Sequence, residues 1–227
     1  MPEVVTTKEL YKFIFEELKK EKRSGAYRFN LKNSLYLLGP SGYPFEKYIA
    51  HLFKEYGYFA KHNLIFKGFC LIYEIDILIE KNDEKFLGEC KFHQEKGKKN
   101  DVKTMLYAYS RHLDILKKSK DYKLILITNT KFTSEAIKFA KCYSINLLSW
   151  NFPSEKKLPK LIEEKRFYPL TIFDFLSKKT LTSLFNYDIV SIKDFLNKDD
   201  GYLKKISVLN EEEIKNLKSI IEEILVV

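Results

Sequence analysis

Cysteine, glycine and long apolar runs are all scarce in this chain, and each shortage excludes something. The three cysteines, Cys70, Cys90 and Cys142, are an odd number with no CxxC spacing and no histidine pairing. Neither a disulfide framework nor a zinc site is expected, and the three read as buried, reduced small hydrophobes. No stretch approaches the roughly eighteen apolar residues that a membrane-crossing helix needs. Met1-Pro-Glu-Val does not open like a secretory leader, so the expectation is a soluble, cytoplasmic protein. The eight glycines are too scattered for a dinucleotide-binding loop, and no P-loop, GxSxG elbow or internal repeat occurs.

What is present describes a folded, basic protein. Across 227 residues, 45% are hydrophobic and 15% aromatic, enough for a sizeable core in one or two domains. The formal net charge is +9, carried mostly by lysine. That balance favours a polyanionic partner, nucleic acid before membrane, since no basic amphipathic anchor stands out. A surface that is merely lysine-rich would carry the same charge.

Local patterning divides the chain in three: residues 1–40, 41–152 and 165–227. A cap signal at Thr6-Thr7-Lys8-Glu9 opens a first helix to Lys22, with Leu10, Phe13, Ile14 and Leu18 on one stripe. A second helix covers Tyr27 to Leu38 and stops at Gly39-Pro40-Ser41-Gly42. Pro44 suits the first turn of a third helix, whose stripe is Phe45, Tyr48, Ile49, Leu52, Phe53 and Tyr56. Tyr58 to Phe66 reads as a strand. Asp101 caps a helix with the stripe Val102, Met105, Leu106, Tyr109, Leu113 and Leu116. The apolar run Lys123 to Asn129 is a strand buried on both faces. A helix from Thr133 to Tyr143 and a strand from Ile145 to Trp150 complete a parallel βαβ crossover. Asn151 to Lys160, with two prolines, reads as a linker, and beyond Leu170 the pattern is all helical.

The chemistry gathers in one hairpin. Leu71 to Glu80 and Lys85 to Phe92 are rich in β-branched and aromatic residues, and Lys81-Asn82-Asp83-Glu84 lies between them. A turn centred on Asn82-Asp83 puts Glu89 opposite Asp76, roughly 5 Å away at Cβ, where like charges repel. A divalent cation is the simplest compensation. Lys91 shares the face of Glu89 by the period of two. Such a set would hold Mg²⁺, acidify a bound water, and use the lysine to orient that water or to stabilise charge on a phosphate. A solvated hairpin with an ordinary ion pair is the competing reading. Glu46 borders its helix stripe; an acid in the first turn either answers the helix dipole or serves the site. After Phe92, the loop His93 to Asp101 is polar and lysine-heavy. Lys96, Lys98, Lys99 and the nearby Lys103 could contact phosphates, and Gln94 or His93 could assist. Arg111 and His112 on the following helix are further candidates to face a nucleic acid, Arg111 at its phosphates.

Ile75-Asp76-Ile77-Leu78 followed by Gly88-Glu89-Cys90-Lys91 resembles the D-(x)n-E-x-K core of the PD-(D/E)xK nuclease superfamily. The closest branch is the Mrr-type restriction endonucleases, which are themselves similar to Holliday-junction resolvases. Gly42-Tyr43-Pro44-Phe45-Glu46 opens a helix ahead of the hairpin as in that branch, and the resemblance runs from Gly39 to Trp150. The superfamily's literal proline before the aspartate is absent, Glu74-Ile75 standing there. The resemblance implies an α/β fold: a restriction-endonuclease-like mixed sheet flanked by helices, with an N-terminal helical pair and a small all-α C-terminal domain. It implies a metal-dependent DNA endonuclease with Asp76, Glu89 and Glu46 at Mg²⁺ (Mn²⁺ substituting) and Lys91 assisting. The expected role is restriction or defence ahead of junction processing, with a homodimer as the symmetric way to make paired cuts. A binding or scaffold module that kept the fold without turnover is the alternative. The first forty residues resemble the tail of an ATP-cone without its nucleotide-gripping front, so a docking or dimerisation element is expected there rather than ATP binding. The C-terminal region resembles helix-hairpin-helix modules, but Leu209-Asn210-Glu211 replaces their glycine, leaving duplex binding and protein packing both open.

Overall fold

The computed structural model describes residues 6–21, 23–119 and 121–226. They form two compact units: Tyr36–Phe167, and the described residues up to Leu35 together with those from Tyr168 onward. The chain begins with α1 (Thr7–Glu21) and α2 (Arg23–Tyr36). It continues with α3 (Tyr43–Glu55), β1 (Phe59–Lys67), β2 (Ile72–Lys81), β3 (Glu84–Lys91), β4 (Lys99–Asn100), α4 (Val102–Leu116), β5 (Tyr122–Thr128), β6 (Lys131–Phe132), α5 (Ser134–Cys142), β7 (Asn146–Leu148) and α6 (Leu158–Lys165). A 3-10 turn at Leu170–Ile172 leads to α7 (Lys178–Asn186), α8 (Ile192–Leu196), α9 (Asp200–Ile206) and α10 (Glu211–Val226).

The central unit is the mixed α/β sheet flanked by helices that the sequence implies. Its strands lie in the order β1-β2-β3-β5-β7. β1, β2 and β3 pair antiparallel, and β3, β5 and β7 pair parallel. Parallel neighbours cannot be joined by a tight turn, and α4 and α5 supply the crossovers. Leu124, Ile125, Leu126 and Ile127 of β5 are all buried, as a strand covered on both faces requires. Lys99–Asn100 and Lys131–Phe132 add a two-stranded parallel ladder beyond the sequence expectation; two-residue strands carry no periodicity to read. The expected linker is also different in place. Leu158 donates its N–H to Ser149 O at 2.9 Å and is fully buried with Ile162, so residues 151–165 continue the central unit.

Two helix faces differ from their expected stripes. On α4 the buried positions are Met105, Ala108, His112 and Ile115, while Leu106 and Leu113 are exposed. The helix is turned so that small Ala108 joins the same buried cluster as Leu124 and Leu126, allowing close approach to the sheet. On α1, Phe15 is buried and Leu10, Phe13 and Ile14 are exposed. The cysteines divide likewise: Cys90 is buried, Cys70 and Cys142 are exposed, one in the β1–β2 turn and the other at the end of α5.

In the other unit, Asn30 Nδ2 of α2 donates to Ile172 O at 3.1 Å, and Thr171 Oγ1 donates to Ser34 O at 2.8 Å. At the start of α10, Glu213 N–H donates to Asn210 Oδ1 at 2.9 Å and Asn210 N–H to Glu213 Oε2 at 2.8 Å, a reciprocal cap. With Glu211 and Glu212 in the same turn, this helix start answers its own amides with acids.

Candidate active site

The β2–β3 hairpin turns at Asn82-Asp83, with Asn82 at φ 53°, a conformation asparagine tolerates well. The register runs Lys81↔Glu84, Glu80↔Lys85, Ile79↔Phe86, Leu78↔Leu87 and Ile77↔Gly88. The ladder ends there, and Asp76 and Glu89 are the next residues beyond its last pair. Gly88 is required by close packing: a Cβ there would lie 2.2 Å from Ile77 Cγ2.

Asp76 sits at a break in the sheet. The β1–β2 ladder is paired on either side, His62↔Ile77 and Leu64↔Ile75, and skips Asn63 and Asp76. Asn63 takes a left-handed φ of 53°. Ile75 and Leu78 pack in the same apolar cluster with Leu87 and Ile115, although strand residues three apart ordinarily face opposite ways. The alternation therefore slips between them, and Asp76 occupies the slip. Its Oδ2 accepts the Cys90 N–H at 2.7 Å, which ties it to β3 between Glu89 and Lys91.

Glu89 is buried, with 7% of its side chain exposed, and both of its oxygens are engaged. Oε1 accepts from Lys91 Nζ at 2.6 Å and Oε2 from Arg111 Nη1 at 2.9 Å. Arg111, reaching over from α4, also donates to the Glu74 carbonyl and lies over the rings of Tyr73 and Tyr107. Glu46 belongs to the first turn of α3, where Pro44 starts the helix. A Cβ on Gly42 would be 3.2 Å from Glu46 Oε1, so the glycine leaves room for that carboxylate.

Electrostatics bind these groups into one site. Burial, followed by the charges of Asp76, Glu74 and Glu89, pushes Glu46 up to about 7, with Lys91 opposing. Burial, then Glu89, raises Asp76, while the Cys90 amide, Lys91 and Arg111 pull the other way. Burial disfavours the Lys91 charge, but Glu89 beside it and Asp76 outweigh this and hold its pKa above the ordinary lysine value. Lys91 is an ammonium at neutral pH. Burial first, and then the neighbouring acids, outweigh Lys91 at Glu46, and outweigh the Cys90 amide, Lys91 and Arg111 at Asp76.

Gln94, Lys96, Lys98, Lys99 and Lys103 are exposed. His93 turns away from the acids: its Nε2 meets Asn100 Oδ1 at 2.9 Å. Buried Asn100 donates to Thr128 Oγ1 at 3.0 Å, and Thr128 Oγ1 donates to Lys91 O at 2.6 Å. His93 thus belongs to a network that holds the Lys91 backbone. Arg111, expected at phosphates, is placed on Glu89 because a buried carboxylate needs a second counter-ion. No local signal announces this contact, since 22 residues separate the partners. The Asn100–Thr128 support was equally invisible.

Among the described residues, no three acidic, histidine or cysteine side chains form a ready metal cage. The donors still suit a hard cation. Mg²⁺ is typically held by one or two carboxylates, with waters and substrate phosphates completing the shell. Asp76 and Glu46 are held above their ordinary values by burial and by neighbouring acids, a cost that a bound dication would offset.

The family model described as Restriction endonuclease (Mrr_cat) matches residues 38–151. The chain belongs to this restriction endonuclease family. An uncharacterized protein of Archaeoglobus fulgidus is 34% identical over 160 residues, covering 70% of this chain and 90% of the relative. A crystal structure of a protein of unknown function, AF1548, superposes with TM-score 0.72 at 30% identity, over 82% of this chain and 98% of its own. The MspJI restriction endonuclease in complex with a 27-mer oligonucleotide aligns over 66% of this chain and 32% of its own at 14% identity and TM-score 0.33, too loose a likeness to carry structural meaning. The span matched by the restriction endonuclease family includes Glu46, Asp76, Glu89, Lys91 and Arg111. It leaves out both helical ends of the chain.

Proposed function

We propose that this chain is a divalent-metal-dependent DNA endonuclease that hydrolyses phosphodiester bonds, with restriction or defence as its setting. The observation that carries the reading is the meeting of Asp76, Glu89 and Lys91 at one point of the hairpin, with Glu46 in the same electrostatic field. Asp76 and Glu89 are the residues to hold Mg²⁺ or Mn²⁺, with Glu46 in support. Such an ion, when bound, acidifies a water and neutralises phosphate charge. Lys91 carries a proton at neutral pH, so its part is electrostatic: it orients the attacking water and stabilises the charge that develops on the phosphate. Lys96, Lys98, Lys99 and Lys103, exposed in the loop after β3 and at the start of α4, are suited to hold the backbone without reading sequence. Paired cuts by such an enzyme would come from a homodimer.

The test is plasmid cleavage with Mg²⁺ or Mn²⁺ against EDTA. Cleavage should require the metal, and Lys91→Ala should remove at least about 100-fold of it while leaving the fold and metal binding intact. DNA binding without any cleavage would instead identify a module that keeps the fold without turnover. Selective cutting of four-way junctions over linear duplex would move the role to junction processing.

A further inference from the structure

A small cavity of about 10 Å³ lies behind Glu89, walled by apolar side chains of the sheet and α4 and by Glu89, Arg111 and His112. That is about the least space that admits one water. Two polar atoms in this region, Arg111 Nε and His112 Nδ1, are buried and have no hydrogen-bond partner, although buried polar groups are nearly always satisfied. His112 is 6% exposed. An unpartnered donor and an unpartnered ring nitrogen, on two residues that line a space of this size, are groups that one water can bridge.

Burial also separates the two cations on Glu89. Arg111 exposes 14% of its side chain and Lys91 exposes 34%. Arg111 is further fixed by the Glu74 carbonyl and two aromatic rings, whereas Glu89 is the one anionic partner of Lys91 within salt-bridge distance among the described residues.

We propose that Arg111 and His112, bridged by one water, form a positioning layer that fixes the Glu89 carboxylate. Arg111 is its permanent counter-ion, and Lys91 is thereby free to leave it for the reacting phosphate or water. The water accepts from Arg111 Nε–H and donates to His112 Nδ1 and Glu89. The inference takes its catalytic consequence from the nuclease reading above, but the water and the geometry stand without it.

Two measurements on the full chain decide the matter. A high-resolution crystal structure should show a water within hydrogen-bond distance of Arg111 Nε and His112 Nδ1; a dry cavity would overturn the bridge, whether or not the protein cuts DNA. In kinetics, Arg111→Met should lower kcat by about 10- to 100-fold, the usual range for a residue that orients a metal ligand. KM and DNA affinity in EDTA should stay unchanged. Arg111→Lys, which keeps the charge and loses Nε, should recover only part, and His112→Phe, which fills the cavity, should lose about 10-fold in kcat. A phosphate-contact role predicts the reverse for Arg111→Met, weaker DNA binding and raised KM at constant kcat, and would sink the proposal. Should Arg111→Met fail to fold, the wild-type water and the His112→Phe kinetics still decide. If the wild type cuts nothing, the nuclease reading fails while the crystallographic test of the layer stands.

Discussion

At the scale of single residues, the site is a place where stability has been given up. Burial and three neighbouring acids raise Glu46 from 4.5 to about 7. An acid that is harder to ionise when folded binds more protons in the native state than in the unfolded one. Its contribution is therefore full at low pH and is lost as pH rises from its unfolded value towards 7. Without divalent metal, the melting temperature should fall across that window, and Glu46→Gln should flatten the slope; an unchanged slope would remove Glu46 from the acid cluster. Asp76→Asn makes a second case. An amide oxygen can still accept the Cys90 N–H without opposing Glu89, so the variant should melt higher than wild type in EDTA while losing cleavage. A lower melting temperature would mean that the carboxylate stabilises the fold.

At the scale of elements, the break between Ile75 and Ile77 explains how one strand carries both core and chemistry. The same residues that fill the sheet on either side leave Asp76 at the slip, where its side chain takes a backbone amide across the gap. Support comes from beyond the hairpin. The buried Asn100 in β4 reaches His93, Thr128 and, through Thr128, the Lys91 carbonyl. Asn100→Ala should cost about 1–3 kcal/mol, the penalty for stranding buried polar partners, and a chemical-denaturation midpoint would show it. Gly88→Ala should cost a similar amount, about 1–3 kcal/mol of overpacking, because its methyl would collide with Ile77.

At the scale of the whole molecule, the charge of +9 and the exposed lysines after β3 imply that much of any DNA affinity is counter-ion release. Affinity for a duplex, measured without metal, should fall steeply between about 50 and about 200 mM salt, linearly on logarithmic axes. Removing Lys96, Lys98 and Lys99 together should shallow that slope by roughly 3 phosphate contacts' worth. A slope insensitive to them would place the DNA path elsewhere.

The hairpin and its turn at Asn82-Asp83 were legible in the sequence because they depend on local periodicity and turn chemistry over a span of about twenty residues. The buried run of β5 and the capped start of α4 were legible for the same reason. The ladder ends at Ile77↔Gly88, one step short of the expected pairing of Asp76 with Glu89, because the alternation slips at Asp76. The face of α4 was not: Leu106 and Leu113 outweigh Ala108 and His112 on any hydrophobicity count, and only the close approach to the sheet makes the small residue the inner one. Nor was the role of Arg111 legible, since its partner lies on another element and a surface arginine looks the same in sequence as a buried one. Local pattern determined the hairpin and the place of its turn; tertiary packing decided which distant cation neutralises Glu89, because charge compensation depends on distance in space and not along the chain.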